Sequence, residues 1–401
     1  MKLKFSLLLA CASMAISTAV GCTDEPETPN RTPTGYPEGP KTMVDPAASA
    51  ITRTLYENLF VLAERGTMFG RQIPTLYGLD NNQKWYAGER TDLSDTKYLT
   101  GSHPAVCGWE LSNLEFGLDA NIDGDVFDDV RKHIIAAFER GGINTLSWHC
   151  ANPVTDGNAW NVTRAVYTII PGGANHEKFK GWLDRIADFI GSLKSSDGEL
   201  IPVIFRPWHE HSGSGFWWGK GNASADEFIA LWQFTITYLR DVKGLHNIIW
   251  AYSPDMIHIN SRDAYLEYWP GDEWVDIQGL DAYDRDGEDY GHKGLQMVRL
   301  MKNIAYTKNK PLALTETGLE NNSPEDSDYF NKKWWTQMLY KVIEGQPVSF
   351  VLVWRNGDFP RNGGHYFGAF RGCYSEEDFL DFAAKKQVLL ENDLPDMYSP
   401  L

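Results

Sequence analysis

A (β/α)8 barrel is the fold this sequence predicts, on three observations. Eight short apolar runs alternate with amphipathic helical stretches over about 350 residues. The runs are rich in Val, Ile and Leu, as parallel strands buried on both faces are. No glycine-rich G-x-G-x-x-G follows the first run, which weighs against a doubly wound dinucleotide-binding sheet. The chain has 401 residues, more than an average domain, yet one barrel can use that length as a single unit.

The strands are expected at 66–70, 104–109, 143–149, 201–206, 247–252, 275–281, 311–315 and 348–354. The intervening helices have legible signals. Residues 125–139 carry apolar side chains at 126, 127, 130, 134, 135 and 138, then stop at Gly141-Gly142. Asn175 can cap a helix carrying Phe179, Trp182, Leu183, Ile186 and Phe189. Ser224 and Glu227 form a capping box before Phe228, Leu231 and Trp232. Residues 295–305 and 329–343 read as further helices. No internal repeat and no second domain are visible, so the barrel is assigned to 47–401.

The N-terminus reads as an address. Lys2 and Lys4 precede an apolar, charge-free run from Phe5 to Val20, which is too short to span a bilayer. It ends in Ala19-Val20-Gly21-Cys22. Small residues before a Cys resemble a bacterial lipobox, so 1–21 is expected to be a signal peptide and Cys22 the lipidation site. An ordinary secretory signal is the blander alternative. Prolines at 26, 29, 33, 37, 40 and 46 among polar residues describe an extended tether over 22–46. The expected address is the cell envelope of a Gram-negative bacterium, on the outer membrane, facing either the periplasm or the outside.

Composition narrows the partners. The formal charge is 37 − 54 = −17, which lacks the basic face a nucleic-acid groove needs. Membrane contact is expected only through the lipid anchor, and the chain is treated as a monomer. The 15 Trp, 18 Tyr and 19 Phe mostly build core, but rings beside polar loop residues also suit a carbohydrate cleft. Past the anchor only Cys107, Cys150 and Cys373 remain, an odd number without zinc spacing. They read as small buried hydrophobes, with one Cys107–Cys150 bridge open. No H-E-x-x-H cluster is present, and no metal or organic cofactor is expected.

A barrel concentrates its chemistry at the C-terminal strand ends. Here these ends read Ser147-Trp148-His149, Arg206-Pro207-Trp208-His209-Glu210-His211, Leu280-Asp281-Ala282-Tyr283, Thr315-Glu316-Thr317-Gly318 and Val353-Trp354-Arg355. A single Glu at a strand end is usually solvated or salt-bridged. Two of them, Glu210 and Glu316, on the fourth and seventh strands, with His, Arg, Tyr and Trp on the same rim, fit glycoside hydrolysis. That reaction needs two carboxyls flanking one bond, about 5–5.5 Å apart for retention and about 6.5–9.5 Å for inversion.

The block Arg206-Pro207-Trp208-His209-Glu210, the run Gly215-Phe216-Trp217-Trp218-Gly219, Thr315-Glu316-Thr317-Gly318 and Ser147-Trp148-His149 resemble glycoside hydrolase family 26, the endo-β-1,4-mannanase family. Met68-Phe69-Gly70-Arg71-Gln72, Pro104-Ala105-Val106-Cys107-Gly108-Trp109-Glu110, Gly364-His365-Tyr366-Phe367 and a closing helix near 378–382 extend the resemblance over roughly 50–400. It implies Glu210 as acid/base and Glu316 as nucleophile, with Arg206 and Tyr283 bonded to the Glu316 carboxylate. It also implies that His149 and His209 bind hydroxyls of the sugar at the cleavage point. Trp354 would floor that sugar, and Phe216 or Trp217 would stack on the leaving-side sugar.

Two features depart from the family pattern. Arg71 stands where the family often has His. The loop 73–103, with Tyr77, Trp85, Tyr86 and Arg90, is long, and is expected to close part of the glycone side. The reading is thus a lipid-anchored retaining enzyme acting on mannan, glucomannan or galactomannan. The alternatives are a relative cutting mixed-linkage β-glucan or xylan, and a non-catalytic glycan-binding surface lipoprotein.

Overall fold

A computed structural model describes residues 35–401 apart from 82, 286–289, 320–331 and 358–365. The expected signal, Cys22 and the start of the tether lie outside the described residues. So do the first residues of the helix expected at 329–343, and Gly364-His365.

Eight parallel strands close on themselves. They are β1 (Thr67–Gln72), β2 (Val106–Glu110), β3 (Ile143–Ser147), β4 (Val203–Arg206), β5 (Ile248–Tyr252), β6 (Ile277–Asp284), β7 (Leu312–Leu319) and β8 (Val348–Val353). Each pairs with its sequence neighbour, and β8 returns to β1 with Met68 opposite Phe350. This is the (β/α)8 barrel that the alternation predicts.

Period-2 alternation sorts the side chains into two cores. Met68, Val106, Ile143, Ile204, Ile249, Ile277, Ala313 and Phe350 fill the barrel. Phe69, one position on from Met68, turns outward against Trp335, Phe379 and Phe382. Gly70 faces inward, where a Cβ would come within 2.9 Å of Val106 and 3.0 Å of Leu352. The helix Ala50–Arg65 starts on Ser49, whose hydroxyl accepts from Thr52 N–H. It runs directly into β1, and its Leu55, Tyr56 and Leu59 join the interior cluster. It therefore plugs the N-terminal end of the barrel, leaving the opposite end for chemistry.

The outer helices follow the expected periodicity. Phe127–Glu139, His176–Gly191, Ala225–Thr237 and Tyr290–Lys308 cover the strands. The Ser224–Glu227 box forms. Asn175 stands at its helix start without capping it, because its amide donates to Thr168 Oγ1 at 3.2 Å instead.

Two readings are corrected by the packing, and one left open is decided. First, residues 36–44 of the expected tether lie on the barrel. Tyr36 meets Phe60 and Tyr306 edge-on, and Val44 N–H donates to Asp276 at 2.7 Å. Proline spacing describes stiffness, and the aromatic and backbone anchors decide docking. Second, β6 and β7 run on to 284 and 319, beyond the apolar runs. After an irregularity at Leu280/Asp281, the ladder continues with Asp281 opposite Glu316 and Tyr283 opposite Gly318. Third, Cys107, Cys150 and Cys373 are free thiols, and burial pushes the Cys107 thiol up to about 12.

The described residues of the loop 73–103 include an antiparallel pair Tyr77–Asp80 and Gln83–Tyr86 and a helix Asp95–Thr100. Asp95 is its buried hub. It accepts from Leu79 N–H at 2.9 Å, Trp85 Nε1 at 2.9 Å and Arg71 Nη2 at 2.8 Å. Arg71 therefore ties the loop to β1.

Candidate active site

The carboxylate on the fourth strand sits on strained backbone. Trp208 and Glu210 have φ of 56° and 51°, a region costly for residues with a Cβ. The surroundings hold it. Trp208 is fully buried against Trp148, Trp217 and Trp218, and its Nε1 donates to Thr235. Glu210 N–H donates to Ser253 O at 2.8 Å.

Glu316 is supplied by the extended end of β7. It is buried, accepting at Oε1 from Arg206 Nη2 and at Oε2 from Tyr283 OH at 2.7 Å. Arg206 also donates to Asp281 Oδ2 at 2.8 Å, and Asp281 Oδ1 accepts from Thr315 Oγ1 at 2.8 Å. One guanidinium thus bridges two buried carboxylates, and the bidentate fork fixes both. Burial opposes its charge, but Asp281 and Glu316 outweigh that and hold Arg206 firmly protonated.

Oxygens of Glu210, Asp281 and Glu316 all lie within 4.8 Å of one another. Among the described residues this is the trio whose spacing could hold a cation, but Arg206 already supplies positive charge to two of the three. Burial pushes the Glu210 carboxyl well above the usual range, and the charges of Asp281, Glu316 and Asp255 push it further. Arg206 pulls it back only in part. Two neighbouring carboxyls are therefore kept apart in role: Glu210 is biased to hold a proton, and Glu316 is gripped by a cation and a phenol.

They share a cavity of about 330 Å³ with His149, His209, Trp160, Phe216, Tyr283 and Trp354. Trp354 lies edge-on to His149 at 6.1 Å. Phe216 stacks flat on Trp218 at 4.6 Å. Of the two aromatics considered for the leaving-side sugar, Phe216 lines the cavity and Trp217 does not. Trp217 is fully buried and donates to Cys150 O at 2.9 Å. An adjacent pair on a loop points to opposite sides, and sequence alone does not say which faces in.

The structure adds residues to which the sequence assigned no role. Trp160 is 50% exposed and stacks on the His149 ring at 5.3 Å and 24°. Its only sequence signal is a lone aromatic in a polar loop. Asp281 and Glu110 appear within the quoted strand blocks, but their contacts come from the sheet. The loop 73–103 contributes no lining residue among those described. Tyr77 OH, 3.4 Å from Arg355, is its link to the cavity. The edge there is made instead by Ile122, Asp123 and Arg355, with Arg355 bonded to Asp123 at 2.6 Å.

The contrast between the tryptophans is testable. Trp217→Ala is expected to cost about 3–5 kcal/mol of stability through the cavity it leaves. Trp160→Ala should leave the Tm within a degree or two, since surface changes cost about 0.5 kcal/mol or less. It should instead weaken oligosaccharide binding. Thermal melts with saccharide titrations separate the two.

A (β/α)8 barrel with paired carboxylates at the ends of its fourth and seventh strands defines a glycoside hydrolase. Comparison with known proteins makes this specific. Residues 44–339 match the family model of glycosyl hydrolase family 26, and the chain belongs to that family. A β-mannanase of this family from Bacteroides ovatus, BoMan26A, superposes with a TM-score of 0.81 and 38% identity, over 88% of this chain and 98% of that one. A mannan endo-1,4-beta-mannosidase of Bifidobacterium adolescentis is 35% identical over 366 residues, covering 86% of this chain but 35% of its own length. One of Bacillus subtilis is 30% identical over 69% of this chain and 73% of its own. The chain thus spans about a third of the Bifidobacterium relative.

Proposed function

We propose that the protein is an endo-β-1,4-mannanase that cleaves mannan, glucomannan or galactomannan with retention. The observation that carries the reading is the 4.8 Å grouping of the Glu210 and Glu316 oxygens. That spacing falls on the side of a retaining pair, about 5–5.5 Å, and short of the about 6.5–9.5 Å of an inverting one. Glu316 attacks the anomeric carbon as the glycosidic C–O bond breaks, and Glu210 gives its proton to the leaving oxygen. Glu210 then deprotonates a water, which attacks the same carbon and frees Glu316. Arg206 and Tyr283 keep the Glu316 oxygens aimed. His149 and His209 flank the reacting sugar in the cavity, Trp354 lies beneath it, and Phe216 packs on the leaving-side sugar. The names of the family relatives support mannan as the substrate.

The test is a product time course on linear mannan, with barley β-glucan in parallel. A spread of mannooligosaccharides is expected. A single short product from the start would replace endo cleavage by release from a chain end. Cleavage of glucan alone would transfer the enzyme to the alternative substrate, and silence on both would reject hydrolysis.

The envelope address is part of the proposal and rests on the lipobox-like Ala19-Val20-Gly21-Cys22. In the native host, Cys22→Ala should move the protein from the membrane to the soluble fraction. Persistent membrane association would reject Cys22 as the anchor.

A further inference from the structure

We infer that Glu110 is a positioning residue that sets the proton pattern of the His149–His209 pair. In this pattern His149 presents an imidazolium to the cavity, and His209 is neutral with its proton on Nδ1.

Glu110, the last residue of β2, is 1% exposed. Its Oε1 accepts from Ser112 N–H and His149 N–H, both at 2.8 Å. Its Oε2 faces Ser147 Oγ at 2.6 Å and His149 Nδ1 at 2.8 Å. Burial raises the Glu110 carboxyl, but the His149 charge and the bonds from His149, its N–H and Ser147 outweigh this and hold it down to about 2, so it is ionised and His149 Nδ1 donates to it. On the other edge, His149 Nε2 lies 3.1 Å from His209 Nε2. Two ring nitrogens at that distance share one proton.

The charges decide which ring owns it. Facing His149 are Glu110 from β2, Glu316 from β7, and Arg206 and His209 from the end of β4. Arg206 is already committed to Asp281 and Glu316. Burial disfavours a charge on His149, but the Glu110 charge and hydrogen bond, with Glu316, reverse this and raise it. Burial lowers His209 far below the usual range, and Arg206, His149 and His211 lower it further. The shared proton therefore stays on His149. Nδ1 of His209 is buried with no partner among the described residues, so no competing acceptor or donor selects the other tautomer.

The consequence for the site is a fixed pair of rings. His149 is stacked on Trp160 and edge-on to Phe216 and Trp354, in the cavity that takes the reacting sugar. A group held charged works below its raised pKa and fails as pH rises through it. Glu110→Gln removes the charge that raises it, so the failure should move to lower pH.

Two measurements test this on the full chain. The kinetic one rests on the β-mannanase reading. With a dinitrophenyl β-mannobioside, glycosylation needs no proton from Glu210. The alkaline limb of kcat/KM then reports another group, and Glu110→Gln should shift it toward acid pH. An unmoved limb in the folded variant overturns the inference. The spectroscopic one needs no catalysis or variant folding at position 110. Long-range 15N–1H spectra of histidine-labelled native protein, assigned by His149→Gln and His209→Gln, should show both His149 nitrogens protonated at neutral pH. His209 should be protonated at Nδ1 alone. A neutral His149, or a proton on His209 Nε2, overturns the inference even if mannan is cleaved.

Discussion

Glu316→Ala should lower mannan turnover by about 10⁴-fold or more, the scale on which a covalent nucleophile is lost. The effect has a local cause. Glu316 is the group held by Arg206 and Tyr283 toward the cavity, and among the described residues Asp281, the other carboxylate on that arginine, is fully buried behind it. Folding should survive, because Arg206 keeps its bond to Asp281 when one of its two partners is removed. Breaking both would leave an unpaired buried charge, at about 3–5 kcal/mol. Reducing-sugar release and a thermal melt give the two readouts. Added azide should restore cleavage of an activated aryl mannoside, entering from the vacated face with opposite stereochemistry at the anomeric carbon. Turnover at a wild-type rate without azide would remove Glu316 from the nucleophile role.

Glu210→Ala should separate two substrates. Proton donation to the leaving oxygen is worth about 10²–10⁴-fold, and mannan should lose that much. A dinitrophenyl mannobioside needs no acid, so its glycosylation step should stay near the wild-type rate while deglycosylation slows, giving a burst. Equal losses on both substrates would undo the acid/base assignment. The pH behaviour follows the same group. Burial raises the Glu210 carboxyl, and the acid form is lost as pH rises through that raised value, so wild-type mannan cleavage falls on the alkaline side. The stability sign is also defined. Between its unfolded and folded values, this carboxyl binds more proton in the folded state, so stability falls as pH rises there. Glu210→Gln removes that burden and should raise the Tm at neutral pH while abolishing mannan cleavage. An unchanged or lower Tm would count against a strained, desolvated carboxyl.

The barrel was legible because its signals are local. Apolar run lengths, helical periodicity and the Ser224–Glu227 box each act within a few residues, and the eight runs fall on the eight strands. Glu210 and Glu316 were legible for the same reason, since each follows an apolar run that ends at one face. The parts that were not legible depend on contacts between distant segments. Trp217 and Phe216 are neighbours with the same character, yet one hydrogen-bonds Cys150 and the other stacks on Trp218. Arg71 stands where the family often has His, and Asp95, 24 residues on, takes it as an anchor for the long loop. Residues 36–44 had linker composition, and Tyr36 found a pocket beside Tyr306.

By itself, then, the sequence determined the strand–helix rhythm, the face on which chemistry must lie and the two glutamates placed on it. Those follow from periodicity and from the cost of placing charge beside an apolar run. Only the tertiary structure decided the distance between the glutamates, the carboxylates bridged by Arg206 and the chain of contacts from Glu110 through His149 to His209. These are set by the register of strands far apart in sequence, above all the β6–β7 irregularity that brings Asp281 opposite Glu316. A side chain's charge and aim depend on which donors and low-dielectric neighbours surround it, and closing the barrel is what brings those neighbours together.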